Sequence, residues 1–485
     1  MASSPVDKAA PIAIIGAGVF GLSSAIHLVK RGYKNVTVFD RQPYHETHYD
    51  FDRGCDAASA DCNKIIRAAY GHETWYQNLT LEAIKVWESW NDTLATGAML
   101  PPGMTRDERI YVNCGNYHFG DHGDAAGLNP FEKASVENIT KAGLGHTQYL
   151  FASKPEEAKR AKKDGYGYAV DPFHLSGDGQ PSGYLDMIGG FVYADKACRY
   201  ALHLAQQLGV NLVLDRQAGS FEGFVEDSTG TVTGIRTTDG KQHPASLTIV
   251  ACGGWTPSLL PEMDGLCETT AGSVAMIQIP SSSPLRQRFS ATNFPVFQWN
   301  VRSGENGNLY GFPLDDRGVL KIGYRGTKYT HPQVQSDGHV RSTPITKWTS
   351  PFITGLPEKS ATVIQSFLDR YIPELKAAGI GISQTRLCWY TDSYDNHWVI
   401  DQVPDKKGVI VATGGSGHAF KFLPVLGQLV ADRVEGVQSE LLKLLQWRKL
   451  GKDEKGLNEL MRGFEDRNAL QKVKMVDDIG RGSKL

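Results

Sequence analysis

The amino-acid sequence predicts an α/β protein in which a Rossmann-like domain is combined with a second, β-rich domain. Three observations predict this fold. A GxGxxG motif near the N-terminus lies between an apolar run and a helical stretch. Two further glycine-rich turns, at 253–254 and 414–417, each follow an apolar run. Stretches of alternating apolar and polar residues occur between the turns. Because α/β sheets bind ligands at the carboxyl ends of their strands, the three turns are expected to converge on one cofactor.

The first βαβ unit is complete in "PIAIIGAGVFGLSSAIHLVKRGYKNVTVFDR". An apolar strand ends at Ile15, a helical stretch follows the glycines, and a second strand ends in Asp40, where an acid can bind a ribose hydroxyl. The turn supplies five candidate cofactor-binding residues: Gly16, Gly18, Val19, Phe20 and Gly21. Its glycines permit a tight turn, close approach to a pyrophosphate and close helix–strand packing, but the motif alone does not separate FAD from NAD.

The second and third turns favour FAD over NAD. The stretch 189–217 reads as strand, helix and strand, and a β-meander separates it from "SLTIVACGGWTPSLL", which supplies Gly253 and Trp255 as candidates. The third turn, "TGGSGH", adds Gly415 and Gly417. A simple NAD dehydrogenase rarely needs a second glycine turn beyond a meander, whereas a protein that wraps an extended FAD does.

Composition excludes several classes of function. The net charge of −2 gives no global attraction to nucleic acid or to an anionic membrane surface. No apolar run reaches the ~20 residues that span a bilayer, and the N-terminus lacks the apolar segment of a secretory signal. The seven cysteines are scattered and odd in number, which predicts a reducing compartment, no disulfide framework and no metal site.

Five short motifs occur in an order that resembles the monomeric sarcosine oxidase family of FAD amine oxidases. They are "GAGVFG", "NKIIRAAYG" (63–71), "VLKIGYR" (319–325), "RLCWYT" (386–391) and "GGSGHAFKF" (414–422). The family includes fungal fructosyl amino acid oxidases (amadoriases), pipecolate oxidases and saccharopine oxidases. The resemblance covers about residues 11–435 and implies an FAD-binding domain like that of glutathione reductase and D-amino-acid oxidase, with a β-rich substrate domain.

The resemblance also implies roles near the flavin. Cys388 matches the cysteine that forms a thioether to the 8α-methyl group of FAD, and Tyr390 beside it is a candidate catalytic residue. Lys321 matches the lysine that contacts flavin N5 through water and activates O2, since a fixed cation stabilises superoxide. Lys64 corresponds to a basic residue close to the flavin ring.

Two further cations point to the substrate. Arg67 and Lys421 match the pair that binds the substrate carboxylate, Lys421 also counts among the cofactor contacts, and His418 is another active-site candidate. The implied reaction oxidises the C–N bond of an amine to an imine and reduces O2 to H2O2. The expected partners are therefore an amine or amino acid and O2, and the expected oligomeric state is a monomer.

The identity of the amine is left open by the sequence. Fructosyl amino acid oxidases carry an acidic "FEPDE"-like segment, whereas this chain has "GFPLDDRGVLK" with Asp315 and Asp316 but no glutamate. That difference favours a secondary amino acid, such as pipecolate, saccharopine or an N-methyl amino acid. Because relatives of this kind occur in fungal secondary metabolism, the resemblance also suggests a role there. A fructosyl amino acid oxidase and a flavin dehydrogenase that uses an acceptor other than O2 are the alternatives.

The motifs also predict the domain organisation and a cellular address. A discontinuous FAD-binding domain is expected over 1–100, 180–262 and 388–440, and a substrate domain over 101–179 and 263–387. A polar tail, 441–485, ends in Ser483-Lys484-Leu485, which is a peroxisomal address read by an import receptor. The expected location is therefore the peroxisome, or otherwise the cytoplasm.

Overall fold

A computed structural model describes residues 6–55, 57–121, 128–152, 154, 156–175, 183–346, 349, 353, 355–451 and 468–477. The predicted peroxisomal address at 483–485 lies outside these residues. Within them, no helix is both long enough and apolar enough to cross a membrane.

The strands alternate with helices in the first half of the chain and dominate the second half. In chain order the strands are β1 Pro11–Ile15, β2 Asn35–Asp40, β3 Asn63–Ile66, β4 Tyr111–Val112, β5 Asn116–Phe119, β6 Gln148–Tyr149, β7 Tyr184–Asp186, β8 Gly190–Tyr193, β9 Asn211–Leu214, β10 Phe221–Glu226, β11 Val232–Thr237, β12 Gln242–Pro244, β13 Leu247–Val250, β14 Cys267–Gln278, β15 Val296–Trp299, β16 Leu309–Gly311, β17 Val319–Tyr329, β18 Pro332–Val334, β19 Val340–Ser342, β20 Leu356–Pro357, β21 Gln384–Ser393, β22 Val399–Gln402, β23 Val409–Thr413 and β24 Met475–Val476.

The helices lie between these strands. In chain order they are α1 Val19–Lys30, α2 Tyr44–Thr47, α3 Thr74–Thr96, α4 Pro130–Ile139, α5 Glu156–Lys163, α6 Ala194–Gln207, α7 Thr256–Leu259, α8 Leu285–Arg288, α9 Glu358–Tyr371, α10 Pro373–Ala377, α11 Leu426–Val434 and α12 Glu440–Leu444.

A six-stranded sheet forms the predicted Rossmann-like domain. Its strand order is β22-β23-β13-β1-β2-β9, and its strands are parallel except for β22, which runs antiparallel to β23. The central strand β1 is buried after its first residue, as its apolar sequence requires. Because parallel strands end at the same edge of a sheet, the turns after β1, β13 and β23 are brought together. The predicted fold class is confirmed.

An eight-stranded sheet forms the β-rich domain. Its order is β21-β14-β17-β16-β15-β5-β7-β6, and it is built around the long strands β14, β17 and β21. Helix α9 packs on this sheet, where the rings of Phe297 and Phe367 stack with their centres 5.5 Å apart. A smaller sheet, β3-β8-β4, carries the segment that leads to Arg67.

The predicted domain boundaries at residues 388 and 180 need correction. Residue 388 lies inside β21, which pairs with β14 along its whole length, from Cys267–Ser393 to Met276–Gln384. Strand β7, at 184–186, likewise pairs with β5 in the eight-stranded sheet rather than with the parallel one. The backbone hydrogen bonds of β21 therefore place the residues from 388 to 393 in the β-rich domain, although they also reach the cofactor side of the molecule.

Candidate active site

One cavity of about 270 Å³ collects the three glycine turns. It lies at the carboxyl ends of β1, β13 and β23, as expected for an α/β sheet. The predicted site residues that line it are Gly16, Gly18, Val19, Phe20, Asp40, Lys64, Gly253, Trp255, Tyr390, Gly415 and Gly417. The other predicted residues do not line it: Gly21, Arg67, Lys321, Cys388, His418 and Lys421.

The first turn has the geometry that its glycines predict. Gly16 has a φ of +104°, and a Cβ there would lie 2.5 Å from the carbonyl oxygen of Ala251. A Cβ at Gly21 would lie 1.7 Å from the carbonyl oxygen of Gly16, so Gly21 serves helix–strand packing and not the cavity wall. One carboxylate oxygen of Asp40 accepts a hydrogen bond from the Ala17 amide at 2.8 Å. The carboxylate therefore braces the turn from the end of β2.

The walls of the cavity fit an extended dinucleotide such as FAD. The N-terminus of α1 opens onto it, and backbone N–H groups at a helix N-terminus suit a pyrophosphate. Asp40 stands where a ribose would be bound, and burial raises its pKa against the opposing hydrogen bonds from Ala17 and Gln42. At the same end, the guanidinium of Arg41 lies 4.3 Å from the ring centre of Trp255, a flat surface that the sequence analysis did not foresee.

A buried carboxylate, Asp61, organises the cations predicted near the flavin. Its Oδ2 atom lies 2.7 Å from the ammonium of Lys64 and 2.7 Å from that of Lys321. Lys321 also donates to the carbonyl oxygen of Asn63 at 2.8 Å and is only 1% exposed. The guanidinium of Arg386 lies 3.9 Å from Oδ1. Lys321 is thus a buried, paired cation and not a surface lysine on an amphipathic strand.

Charge pairing outweighs burial for Asp61 and Lys64. Burial disfavours the carboxylate, but Lys321, Lys64 and Arg386 together hold the pKa of Asp61 far below its usual range. Burial also disfavours the ammonium of Lys64, yet Asp61 and then Cys388 raise the pKa of Lys64 above its ordinary value. Sequence reasoning missed Asp61. The available signal was indirect: a lysine buried in a strand needs an acid, and Asp61 stands just before the "NK" of the second motif.

Cys388 lies beside this cluster and next to the cavity wall. It is 1% exposed, and its Sγ atom is 3.9 Å from the ammonium of Lys64. Its neighbours Trp389, Tyr390 and Thr391 all line the cavity. Strand β21 therefore places the thiol next to the cavity wall, and the ammonium of Lys64 supplies a positive charge beside the sulfur.

The predicted carboxylate-binding pair meets at Tyr70, which sequence reasoning did not assign. The Lys421 ammonium donates to the Tyr70 hydroxyl at 2.9 Å, and the guanidinium carbon of Arg67 lies 4.8 Å from the Tyr70 ring centre. Lys421 is 3% exposed, and Arg67 also donates to the carbonyl oxygen of Ala69. Within the described ranges, neither cation has a carboxylate within 4.0 Å. Both are therefore available for an anionic ligand.

His418 completes a chain of hydrogen bonds from Lys421. Its Nε2 atom lies 2.9 Å from the carbonyl oxygen of Asn396, which can only accept, so Nε2 carries the proton. Its Nδ1 atom, 3.1 Å from the Tyr70 hydroxyl oxygen, then accepts a hydrogen bond from that hydroxyl. Burial lowers the pKa of His418 well below its ordinary value, and the charges of Lys421 and Arg67 lower it further. His418 is thus a neutral acceptor.

The fold and the cavity define an oxidoreductase that binds a dinucleotide through a Rossmann-like domain. Residues 11–433 match the family described as FAD dependent oxidoreductase, and the chain belongs to that family. Its dependence on FAD follows, and the cavity residues fit that cofactor.

Curated relatives match nearly the whole chain. L-saccharopine oxidase of Schizosaccharomyces pombe is 27% identical over 452 residues, which cover 90% of this chain and 93% of the relative. Monomeric sarcosine oxidase of a Bacillus species is 25% identical over 433 residues, or 87% of this chain and 92% of the relative. Among solved structures, fructosyl peptide oxidase from E. terrenum superposes with a TM-score of 0.74 at 24% identity, covering 92% and 94% of the two chains.

Replacement of Asp61 by Asn should destabilise the folded protein strongly. The change would leave Lys64, Lys321 and Arg386 without their shared counter-charge, and breaking a buried pair costs about 3–5 kcal/mol. The free energy of unfolding from chemical denaturation measures the loss.

The matched control for that change is Asp264→Asn. Asp264 binds Arg341 at 2.7 Å but is half exposed, and Arg341 keeps Asp337 as a second partner. The expected loss in the control is below about 1 kcal/mol. Equal losses in the two variants would contradict the organising role of Asp61.

Proposed function

We propose that the protein is an FAD-dependent amine oxidase that converts the C–N bond of a secondary amino acid to an imine and reduces O2 to H2O2. One observation carries the proposal: cations of two kinds adjoin residues of the cofactor cavity, Lys321 through Lys64 and Lys421 through its chain neighbour Phe420. Lys321 is paired with a carboxylate through Asp61, while Arg67 and Lys421 meet at Tyr70 without one. The names of the curated relatives, L-saccharopine oxidase and monomeric sarcosine oxidase, support the same class of substrate.

FAD, when bound, supplies the two-electron acceptor for the amine and the reductant for O2. The three glycine turns and Asp40 would hold it. We further propose a thioether between FAD and Cys388, because this thiol lies beside the cavity wall and beside Lys64. A covalent link would keep the cofactor in place through every turnover.

Arg67 and Lys421 would fix the substrate by its carboxylate. The guanidinium fork of Arg67 and the point charge of Lys421 together would orient the α-carbon and the amine of the substrate toward the flavin. Burial and the neighbouring cations lower the pKa of Lys421 well below its ordinary value, and a bound carboxylate would stabilise its charged form. The neutral His418, held by Tyr70 and Asn396, adds no charge that would repel the amine.

The surroundings of the "GFPLDD" stretch support a secondary amino acid over a fructosyl amino acid. Asp315 closes the turn before β17 by accepting hydrogen bonds from the amides of Arg317 and Val319 at 3.0 and 2.8 Å. Asp316 is bound by Lys196. The two aspartates are therefore engaged by groups of the protein itself.

Lys321 supports O2 as the electron acceptor. A fixed, buried cation stabilises the superoxide anion that O2 forms on taking its first electron. A dehydrogenase that passes electrons to another acceptor has no need of such a group.

The flavin is expected to stay with the polypeptide after acid precipitation of the purified protein. Cys388→Ser, which removes the nucleophilic sulfur, should release it into the supernatant as free FAD. Cys267→Ser is the control, because Cys267 is equally buried but lies on β14 away from Lys64. Complete release of flavin by the unaltered protein would contradict the thioether.

Lys321→Met is expected to slow reoxidation of the reduced enzyme by O2 far more than its reduction by substrate. Removing a preorganised charge of this kind costs about 2.7–4 kcal/mol, or roughly 100- to 1000-fold in rate. Stopped-flow measurement of the two half-reactions separates them. Equal slowing of both would mean that the lysine has only a structural role, and no slowing of reoxidation would favour a dehydrogenase.

A peroxide-coupled screen tests the substrate class. Pipecolate, saccharopine and N-methyl amino acids should be oxidised faster than fructosyl-glycine and fructosyl-lysine. Arg67→Gln should lower kcat/KM for the best acid by about 2–4 kcal/mol of transition-state binding, because it leaves a charged group unpaired.

The control for that screen is the decarboxylated analogue of the best substrate. The unaltered enzyme and the Arg67→Gln variant should oxidise it at similar, slow rates. Faster turnover of the fructosyl compounds would reverse the substrate ranking, and an equal loss for acid and analogue would refute carboxylate binding by Arg67.

We also propose a peroxisomal location, supported by the terminal Ser483-Lys484-Leu485 and by the peroxide that the reaction releases, which catalase in that organelle destroys. A fluorescent protein fused to the N-terminus should appear in peroxisomes and should become diffuse when the last three residues are removed. A diffuse signal from the full chain would contradict the proposal.

A further inference from the structure

Strand β17 carries a second cation on the same face as Lys321. Lys321, Gly323 and Arg325 alternate along the strand and so share one face of the sheet. The ring of Tyr310 lies over Gly323, since a Cβ there would be only 2.2 Å from it. Lys321 is paired with Asp61, whereas Arg325 has no carboxylate partner among the described residues.

The contacts of Arg325 place it at the wall of the cofactor cavity. Its two terminal nitrogens donate to the carbonyl oxygens of Ser416 and Gly417 at 3.2 and 3.3 Å, and its guanidinium carbon lies 4.9 Å from the Tyr390 ring centre. All three of these residues line the cavity. The Nε atom is buried and has no hydrogen-bond partner in the described part of the chain. Arg325 thus retains a donor that these residues do not use.

The nearest acid with an influence on Arg325 is already engaged. Asp392 lies on β21 with its carboxylate 2.5 Å from the ammonium of Lys328, and it also accepts a hydrogen bond from Thr270 at 2.5 Å. In the part of the chain that the structure describes, no carboxylate comes within 4.0 Å of the Arg325 guanidinium. Arg325 is half-buried and therefore remains open to a carboxylate of a ligand.

Arg325 belongs to the same group of cations as the Arg67–Lys421 pair. Arg325 binds the carbonyl oxygen of Gly417. His418 follows Gly417 directly, and Lys421 lies four residues after Gly417. After burial, the charges of Arg67 and Arg325 are what lower the pKa of Lys421. Lys421 is buried and the two arginines are half-buried. Cations withdrawn from water are normally paired, and a single carboxylate neutralises only one positive charge.

We propose that Arg325 binds a second carboxylate of the substrate. The substrate would then be an N-(carboxyalkyl) amino acid, a secondary amine with one carboxylate between Arg67 and Lys421 and another, on the opposite arm of the nitrogen, at Arg325. The proposal rests on the proposed function and narrows it. An N-methyl amino acid or a neutral sugar would leave Arg325 uncompensated, whereas a carboxylate matches the fork of a guanidinium.

Binding of non-oxidisable analogues tests the proposal without turnover. The probes are thioethers HOOC–CH2–S–(CH2)n–COOH with one to three methylenes, each compared with the amide of its distal acid by calorimetric titration of the holoenzyme. At the best chain length, the diacid should bind at least about tenfold more tightly than the amide, since the charged pair adds roughly a factor of ten or more.

Three variants locate that preference. Arg325→Gln should reduce the diacid-to-amide ratio to below about twofold while the amide keeps its affinity, and Arg325→Lys should retain part of the ratio. Arg67→Gln should weaken diacid and amide alike. Equal affinities of diacid and amide for the unaltered enzyme at every length would overturn the proposal. So would an equal loss for both ligands in Arg325→Gln, which would show that Arg325 only holds the glycine turn.

Turnover distinguishes failure of this proposal from failure of the proposed function. N-(ω-carboxyalkyl)-L-alanines should be oxidised with a higher kcat/KM than their distal amides, and Arg325→Gln should remove the difference. If the thioether diacids show the Arg325-dependent preference but no secondary amine is oxidised, the anion site stands and the oxidase assignment falls. If secondary amines are oxidised without regard to the distal charge, the oxidase stands and the anion site falls.

Discussion

The contact on which the rest of the site depends is the one between Asp61 and its basic partners. Asp61 precedes β3, Lys321 lies in β17 and Arg386 in β21, so a single carboxylate ties the small sheet to two strands of the large one. The same carboxylate binds Lys64, which lines the cofactor cavity. Because all these groups are buried, their geometry is set by charge pairing as much as by packing.

The cations of the site fall into two groups with different uses. Those around Asp61 have their counter-charge built into the fold, so their positions are fixed, which suits a group that has to meet a transient anion. Arg67, Lys421 and Arg325 are held by a ring, by hydroxyl and carbonyl oxygens, and by packing, with no carboxylate near them in the described residues. This second group is the one that the carboxylates of the proposed substrate would complete.

Features that depend on residues close together in the chain, or on a motif that recurs, could be predicted from the sequence. Gly16, Asp40 and the strand–turn–helix order could be predicted because their meaning lies within thirty residues of chain, and the three turns could be joined because parallel strands share an edge. Asp61 and Tyr70 could not be assigned in this way, since Asp61 meets Lys321 across 260 residues and Tyr70 meets Lys421 across 351. The boundary at 388 was wrong for a related reason: an apolar strand such as β21 shows that it pairs, but not that its partner is β14.

Strand β21 has a consequence for how such enzymes can diversify. It is hydrogen-bonded into the β-rich sheet from end to end, yet Trp389, Tyr390 and Thr391 form part of the cofactor wall. The two halves of the molecule are therefore not exchangeable modules, because a transplanted substrate domain would bring its own section of the cofactor site with it. With Arg325 in its proposed role, a single change at this position of β17 would alter specificity more readily than recombination of domains.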